Sequence, residues 1–184
     1  MDKKKTEKTN GAAELFFWAQ ALTVALVVLV CCNTFFFRLS GVFGQSMENT
    51  LHQSDQLILQ IIGYDQPQRG DVVVCTSDAF NREALVKRVI AVEGDTVDIS
   101  ADGYMMVNGE ELYEPYAKEP IRDDERGNQQ YPLTIQKDHV FVAGDNRNHS
   151  TDSRWVEVGQ IEEARVIGKV LFHIWPLNKI GGIS

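Results

Sequence analysis

LVKRVIAV at residues 85–92, followed by the turn Glu93-Gly94-Asp95 and by TVDI at residues 96–99, reads as two β-strands joined by a tight connection. β-Branched residues fill both runs, and Gly beside Asp supplies the backbone conformations a turn needs. Period-two alternation puts Leu85, Lys87 and Val89 on one face of the first strand and Val86, Arg88 and Ile90 on the other. Two adjacent cations are thereby split, and whichever face is buried takes one of them into apolar surroundings. The other reading keeps both cations partly solvated on an edge strand.

Further β-type runs flank this one at residues 56–62, 71–75, 104–107, 139–142 and 164–174, separated by Arg69-Gly70-Asp71, Asp102-Gly103, Asn108-Gly109 and Gly144-Asp145-Asn146. Asn108-Gly109 is a hairpin signal, with residues 110–113 as the returning strand. Residues 114–130 are polar and acidic, carry Pro115 and Pro120, and read as an exposed loop; residues 153–163 read as a short helical turn before the last strand. No long 3.6-residue periodicity runs between Leu51 and Val140, so this part of the chain is mostly β.

Upstream, LFFWAQALTVALVVLVCCNTFFF at residues 15–37 holds 23 residues without a charge, bracketed by Glu14 and Arg38. As a helix it would span about 34 Å, enough for a hydrocarbon core of about 30 Å. A cleavable secretory signal has an apolar region of only about 7 to 15 residues and small residues at its exit. Here Phe35, Phe36 and Phe37 occupy that exit. The reading is an uncleaved single-pass anchor in the cell membrane. Lys3, Lys4, Lys5 and Lys8 keep the N-terminus cytoplasmic, by the rule that basic residues stay inside. The expected organisation is a cytoplasmic basic N-terminus (1–14), a transmembrane helix (15–37) and an extracytoplasmic β-rich domain (38–184).

Charge divides the same way. The 184 residues carry a net charge of -8, but the first 38 net +2 and the remaining 146 net -10. An acidic outer domain argues against a nucleic-acid partner, which needs basic side chains to displace phosphate counterions. Recurrent Val, Ile, Leu and aromatic residues argue against disorder, and about 150 residues suffice for one real core. Cys75 stands alone beyond the apolar stretch, which leaves the outer domain no internal disulfide. His52, His139, His149 and His173 are scattered without metal-ligand spacing, and no phosphate loop occurs, so neither metal nor cofactor is expected.

Nucleophilic chemistry is better supported. Ser46 lies eight residues past Arg38, within about 29 Å of the expected membrane boundary. A serine needs an adjacent base, and a desolvated lysine can serve. For a buried Lys87, a fall from about 10.4 to about 8 would raise the neutral fraction at pH 7 from roughly 0.04% to roughly 10%. The polar cluster from Gly144 to Arg154, held as a loop by Asx turns and an Arg-Asp pair, could brace such a site.

Taken together, Ser46-Met47-Glu48-Asn49-Thr50-Leu51, Arg69-Gly70-Asp71-Val72-Val73, Lys87-Arg88-Val89-Ile90 and the block GDNRNHSTDSR at residues 144–154 resemble, in order, the motifs of bacterial type I signal peptidases. The resemblance, to the compact Gram-positive type, implies a signal-peptidase-like β-rich catalytic domain behind the anchor. It implies Ser46 as nucleophile and Lys87 as general base, with Ser150 bonded to the lysine amine, Asp152 and Arg154 as a buttressing ion pair, and Arg88 and Asp145 in support. The Ser46 backbone N–H would hold the oxyanion, and Gly44, Gln45 and Met47 would face the substrate. The implied partners are signal peptides of exported pre-proteins, cut after small residues in an A-x-A pattern, and the lipid bilayer. Asn49 departs from the family's usual Pro, Gly44 lacks the side-chain hydroxyl some relatives use, and Ala91-Val92-Glu93 replaces a common Gly-Leu-Pro. The alternative is a catalytically idle homologue that assists assembly of surface fibres from pilins.

Overall fold

The structure, a computed structural model, describes residues 11–35, 37–81 and 83–183. Its elements are one helix, α1 (Gly11–Phe35), and strands β1 (Phe37–Gly41), β2 (Gln56–Gln60), β3 (Val72–Thr76), β4 (Ala84–Val92), β5 (Thr96–Ile99), β6 (Met105–Val107), β7 (Glu110–Glu111), β8 (Leu133–Thr134), β9 (His139–Ala143), β10 (Ile161–Glu162), β11 (Val166–Trp175) and β12 (Gly181–Gly182). The larger sheet runs β1-β2-β11-β3-β4-β9-β10 with β12 paired to β11, and the smaller runs β7-β6-β5-β8. All of these pairings are antiparallel.

The chain divides into two compact units, one ending at Phe36 and one beginning at Phe37. In the first, α1 starts four residues before the uncharged stretch and takes in Glu14, whose charge suits the first turn of a helix. Residues 11–31 are long and apolar enough to cross a membrane. The Thr23 hydroxyl donates to the Ala19 carbonyl at 2.9 Å, so this polar group is satisfied within the helix. Lys3, Lys4, Lys5 and Lys8, on which the expected orientation rests, lie outside the described residues. Phe37, read as the end of the apolar span, begins β1 instead: β1 pairs with β2 from Phe37↔Gln60 to Gly41↔Gln56.

In the second unit, β3 and β4 have apolar neighbours on both faces. Val72 and Val74 join one cluster with Val42, Met47, Leu51, Leu57 and Leu59, while Val73 and Cys75 join another with Val89, Val140 and Val142. Burial on both sides explains the unbroken run VVVC in place of alternation. A third cluster ties the sheets together: Ile90, Ala91, Phe141 and Ala143 of the larger sheet meet Val97, Ile99, Met105 and Val107 of the smaller. Each fully buried Val, Leu or Ile contributes about 1.5–3 kcal/mol. The β4–β9 register shifts between Val89 and Ala91, where an extra residue interrupts strict alternation close to Lys87.

Two local expectations change. Residues 114–130 are not simply an exposed loop. Ile121 is buried, and the backbone is tied by Lys118 N–H to the Asp145 carbonyl (2.9 Å), Ile121 N–H to the Gly103 carbonyl (2.8 Å) and Arg122 N–H to Asn148 Oδ1 (2.9 Å). Residues 153–163 form turns and β10, with only a three-residue 3₁₀ turn, Glu163–Arg165, before β11. The Asn108-Gly109 hairpin forms as read, both residues at positive φ (55° and 82°), which a type I′ turn requires.

Candidate active site

β4 pairs with β3 along residues 84–88 but with β9 only from Arg88 onward, Arg88 lying opposite Ala143. Beyond Ala143 the chain leaves the sheet as the 144–154 segment. Lys87 therefore lies where β9 departs, on a strand whose other edge is open along residues 84–87. Both cations are nonetheless buried, Lys87 at 4% and Arg88 at 0% exposure, Arg88 between β3 and β9 and Lys87 beside the turn that carries Ser46. The edge-strand reading of this segment does not hold for that reason.

Ser46 is carried by the connection between β1 and β2. Val42 N–H donates to the Asp55 carbonyl and Ser54 N–H to the Val42 carbonyl, both at 2.9 Å, closing the base of this loop. Met47 and Leu51 plug it into the core, and Thr50 Oγ1 donates to Asp145 Oδ2. Met47, expected at the substrate, is thus a core residue, because a turn anchored at one end by apolar side chains must turn them inward. Gln45 and Gly44 are exposed beside Ser46. Asn49 adopts φ 95°, which Asn tolerates and which a proline ring, fixed near −65°, cannot reach. The departure from the family's Pro thus comes with a different backbone path.

The loop brings Ser46 Oγ to 2.7 Å from Lys87 Nζ. Burial drives the Lys87 pKa below its ordinary value, against the opposing pull of the Asp152 carboxylate. Cys75 itself is buried, its thiol pushed up to about 12 by that burial, so it stays a neutral neighbour. A neutral amine at this separation can accept the serine hydrogen.

Behind the pair lie three buried arginines, each matched to one carboxylate. Arg88 forks onto Asp145 (2.9 and 2.9 Å), donates to the Gly70 carbonyl (2.8 Å) and stacks 3.8 Å over the Tyr116 ring. Arg147 forks onto Glu114 (3.0 and 2.7 Å). Arg154 reaches Asp152 (2.8 and 2.9 Å) and the carbonyls of Glu125, Arg147 and Ser150. Burial pushes the Asp152 carboxyl up, but the charge and hydrogen bonds of Arg154, with Lys87 and Ser150, outweigh it and hold the carboxyl below the usual range. Ser150, expected on the lysine amine, donates instead to Asp152 Oδ2 at 2.7 Å. The Asp152 carboxylate, not the Ser150 hydroxyl, is the group of this pair that acts on Lys87 by its charge.

Several residues of this arrangement escaped the sequence reading. Arg69 pairs with Asp95, and Asp71 accepts Tyr64 O–H (2.8 Å) and pairs with Lys169 (2.6 Å), so the Arg69-Gly70-Asp71 block secures turns behind β4. Glu114 sat in the stretch read as loop. Gly144 is needed for close approach: a Cβ there would strike the Ser46 carbonyl and the Ser150 side chain. Gly144→Ala should therefore displace the nucleophile turn, with cleavage falling at least tenfold in a steady-state assay while Gly181→Ala, without positive φ and with only a 4.0 Å contact for its new Cβ, leaves kcat/KM within about threefold.

A cleft of about 310 Å³ opens at the pair, lined by Leu39, Gly41, Phe43, Val74, Leu85 and Val86 besides Ser46 and Lys87. A larger hollow of about 560 Å³ lies along residues 111–120 and contains neither Ser46 nor Lys87, so size does not identify the site. The cleft runs between β1 and the open edge of β4.

A cleft beside a serine hydroxyl and a buried lysine amine suits nucleophilic attack on a peptide carbonyl. The family model described as Signal peptidase, peptidase S26 matches residues 15–175. The signal peptidase I of Bacillus licheniformis is 34% identical over 97% of this chain and 97% of its own length, and the signal peptidase IB of Staphylococcus aureus is 33% identical over 90% and 92%. A crystal structure of a signal peptidase I from Enterococcus faecalis V583, 33% identical, covers 56% of this chain and 96% of its own, with a TM-score of 0.46. The chain belongs to the peptidase S26 signal peptidase family and is a serine endopeptidase of the type I signal peptidase class.

Proposed function

We propose that this protein cleaves signal peptides from exported pre-proteins with Ser46 as nucleophile and Lys87 as general base. The observation that carries the reading is the 2.7 Å approach of Ser46 Oγ to a lysine amine that is buried and holds its proton weakly. Neutral Lys87 takes the hydroxyl proton as Ser46 Oγ attacks the scissile carbonyl. The Ser46 N–H faces the oxygen that gains charge. Lys87 then returns the proton to the leaving amine, and water resolves the acyl-enzyme by the same path in reverse. Asp145, Asp152, Arg88, Arg154 and Ser150 hold the frame.

The substrate adds as an extended strand in the cleft between β1 and β4, where main-chain groups supply affinity and shallow apolar pockets select side chains. About 310 Å³ shared among several substrate positions suits the small residues of an A-x-A pattern. The apolar α1 anchors the enzyme, the N-terminus stays cytoplasmic and residues 37–184 work outside, where a signal peptide still held in the bilayer presents its cleavage site.

The test is incubation of the full chain in detergent with a pre-protein bearing Ala at the first and third positions before the cut, followed by sequencing of the new N-terminus. Cleavage directly after the A-x-A motif is expected, and a bulky residue at the first position should slow it at least tenfold. No cleavage by the parent protein would overturn the reading in favour of an idle homologue. The pH dependence follows from the base: kcat/KM should rise with pH through a limb whose midpoint lies below 10.5, the ordinary lysine value, because burial depresses the Lys87 pKa. A flat profile up to pH 10 would mean that another group accepts the proton.

A further inference from the structure

We infer that Asn146 is a positioning residue that aims the Ser46 backbone N–H at the oxyanion, an inference that rests on the proposed function. One residue grips both peptide groups around the nucleophile. The Asn146 side chain donates through Nδ2 to the Gln45 carbonyl at 3.0 Å, and its backbone N–H donates to the Ser46 carbonyl, also at 3.0 Å. The carbonyl is an acceptor only, so the amide orientation is fixed: Nδ2 faces Gln45.

The consequence follows from peptide geometry. In a planar trans peptide the C=O and N–H point to opposite sides. The Gln45 carbonyl belongs to the same peptide as the Ser46 N–H, so holding the carbonyl toward Asn146 turns that N–H the other way. Among the described residues the Ser46 N–H has no acceptor, and it stands as a free donor next to the nucleophile. A hydrogen bond to a peptide carbonyl also polarises the amide and strengthens its N–H as a donor. Gln45 O additionally receives Glu48 N–H at 3.1 Å, a bond local to the turn; among the described residues the Asn146 side chain alone reaches that carbonyl from outside the turn, across about a hundred positions of sequence.

Two further observations favour a role beyond packing. Asn146 is 1% exposed, and its Oδ1 has no partner among the described residues. Its burial leaves Nδ2 committed to the Gln45 carbonyl rather than to solvent. It also sits between Gly144, whose N–H donates to Asp152, and Ser150, whose O–H donates to the same carboxylate, so its own bonds tie the segment that carries the Asp152–Arg154 pair to the nucleophile turn. Leu at this position would match the shape of Asn without donating a hydrogen bond.

The experiment compares the parent chain with Asn146→Leu, and with Asn146→Ser as a smaller variant should Leu not give a native near-UV circular dichroism spectrum. Steady-state cleavage of an A-x-A pre-protein is measured across pH below the unfolding temperature of each. Loss of oxyanion alignment acts only in the transition state, so kcat should fall about 10- to 100-fold with KM changed less than twofold. The acid limb of the pH profile should keep the parent's midpoint, since Lys87 is untouched. A kcat within threefold of the parent, a loss expressed in KM alone, or a displaced acid limb would overturn the role of Asn146 while leaving the proposed function standing. A parent chain without turnover would overturn the proposed function and this inference with it.

Discussion

Replacement of Lys87 by methionine should abolish cleavage while leaving the domain folded, with an unfolding temperature equal to or above that of the parent. Methionine matches the unbranched shape of the lysine stem and fills its buried place between β3 and the 144–154 segment. It removes a charge that burial disfavours, so the stability cost of the change is small or negative. It also removes the only group within hydrogen-bond reach of Ser46 Oγ among the described residues. An unactivated hydroxyl is a weak nucleophile, and loss of a general base together with the proton donor to the leaving amine should lower kcat/KM by at least about 10³–10⁴-fold. Ser46→Ala should lose as much. The double variant should be no slower than either single one, because the two residues act as one unit. Cleavage assays beside thermal unfolding curves check all three statements, and residual Lys87→Met activity within tenfold of the parent would count against the pair.

The second large effect is on stability. Asp152→Ala leaves the Arg154 guanidinium fully buried without its carboxylate and deprives Gly144 N–H and Ser150 O–H of their acceptor. Breaking a buried pair from one side costs about 3–5 kcal/mol, which for a domain of this size lowers the unfolding temperature by roughly 10 °C. Arg154→Met should cost a similar amount, whereas the double variant Asp152→Ala/Arg154→Met should recover part of it, since no uncompensated charge remains. The pH sign is fixed by the same pair. The Asp152 carboxyl titrates below its ordinary value in the folded state, so its contribution is fully present above pH 3.8 and is lost as pH falls through the depressed folded value. Acid unfolding of Asp152→Asn should show a shallower pH dependence than that of the parent. Thermal melts between pH 2 and 7 measure it.

Legibility in the sequence followed the range of the interaction. The runs at 56–62, 71–75, 85–92, 96–99, 104–107, 139–142 and 164–174 announce β2, β3, β4, β5, β6, β9 and β11, because alternation and turn residues act over a few positions. Asn108-Gly109 fixed its hairpin by local chemistry alone. β1 was hidden because Phe35, Phe36 and Phe37 extend the helix's apolar run without a break, and only the pairing of Phe37 with Gln60 ends it. The tethering of residues 114–130 was illegible for a related reason. Its partners Asp145, Arg147 and Asn148 lie about thirty positions on; Asp145 and Asn148 meet backbone N–H groups that carry no sequence signal, and Arg147 meets the Glu114 carboxylate, one acidic residue among several in the stretch.

The site divides along the same line. Alternation around Lys87 and Arg88 showed that one cation had to be buried, but both are: Arg88 is flanked by β3 and β9, and Lys87, past the end of β9, meets Ser46 on a turn distant in sequence, which no local pattern encodes. Arg88 is accommodated by the Asp145 fork, and Lys87 by losing affinity for its proton. Thr50 and Asn146 gave no signal of their own, since each acts by bridging the nucleophile turn to the 144–154 segment. Met47 read as a candidate for the substrate because it follows Ser46, yet its apolar side chain turns to the core.

Proton transfer from Ser46 requires Lys87 to hold its own proton weakly in the folded enzyme. Its Nζ can be titrated directly by ¹⁵N NMR in lysine-labelled protein, with the resonance assigned by its absence in Lys87→Met. A midpoint below 10.5 that coincides with the acid limb of kcat/KM is the predicted result. A midpoint at or above 10.5 would leave an ammonium beside Ser46 throughout the working range and would contradict the mechanism.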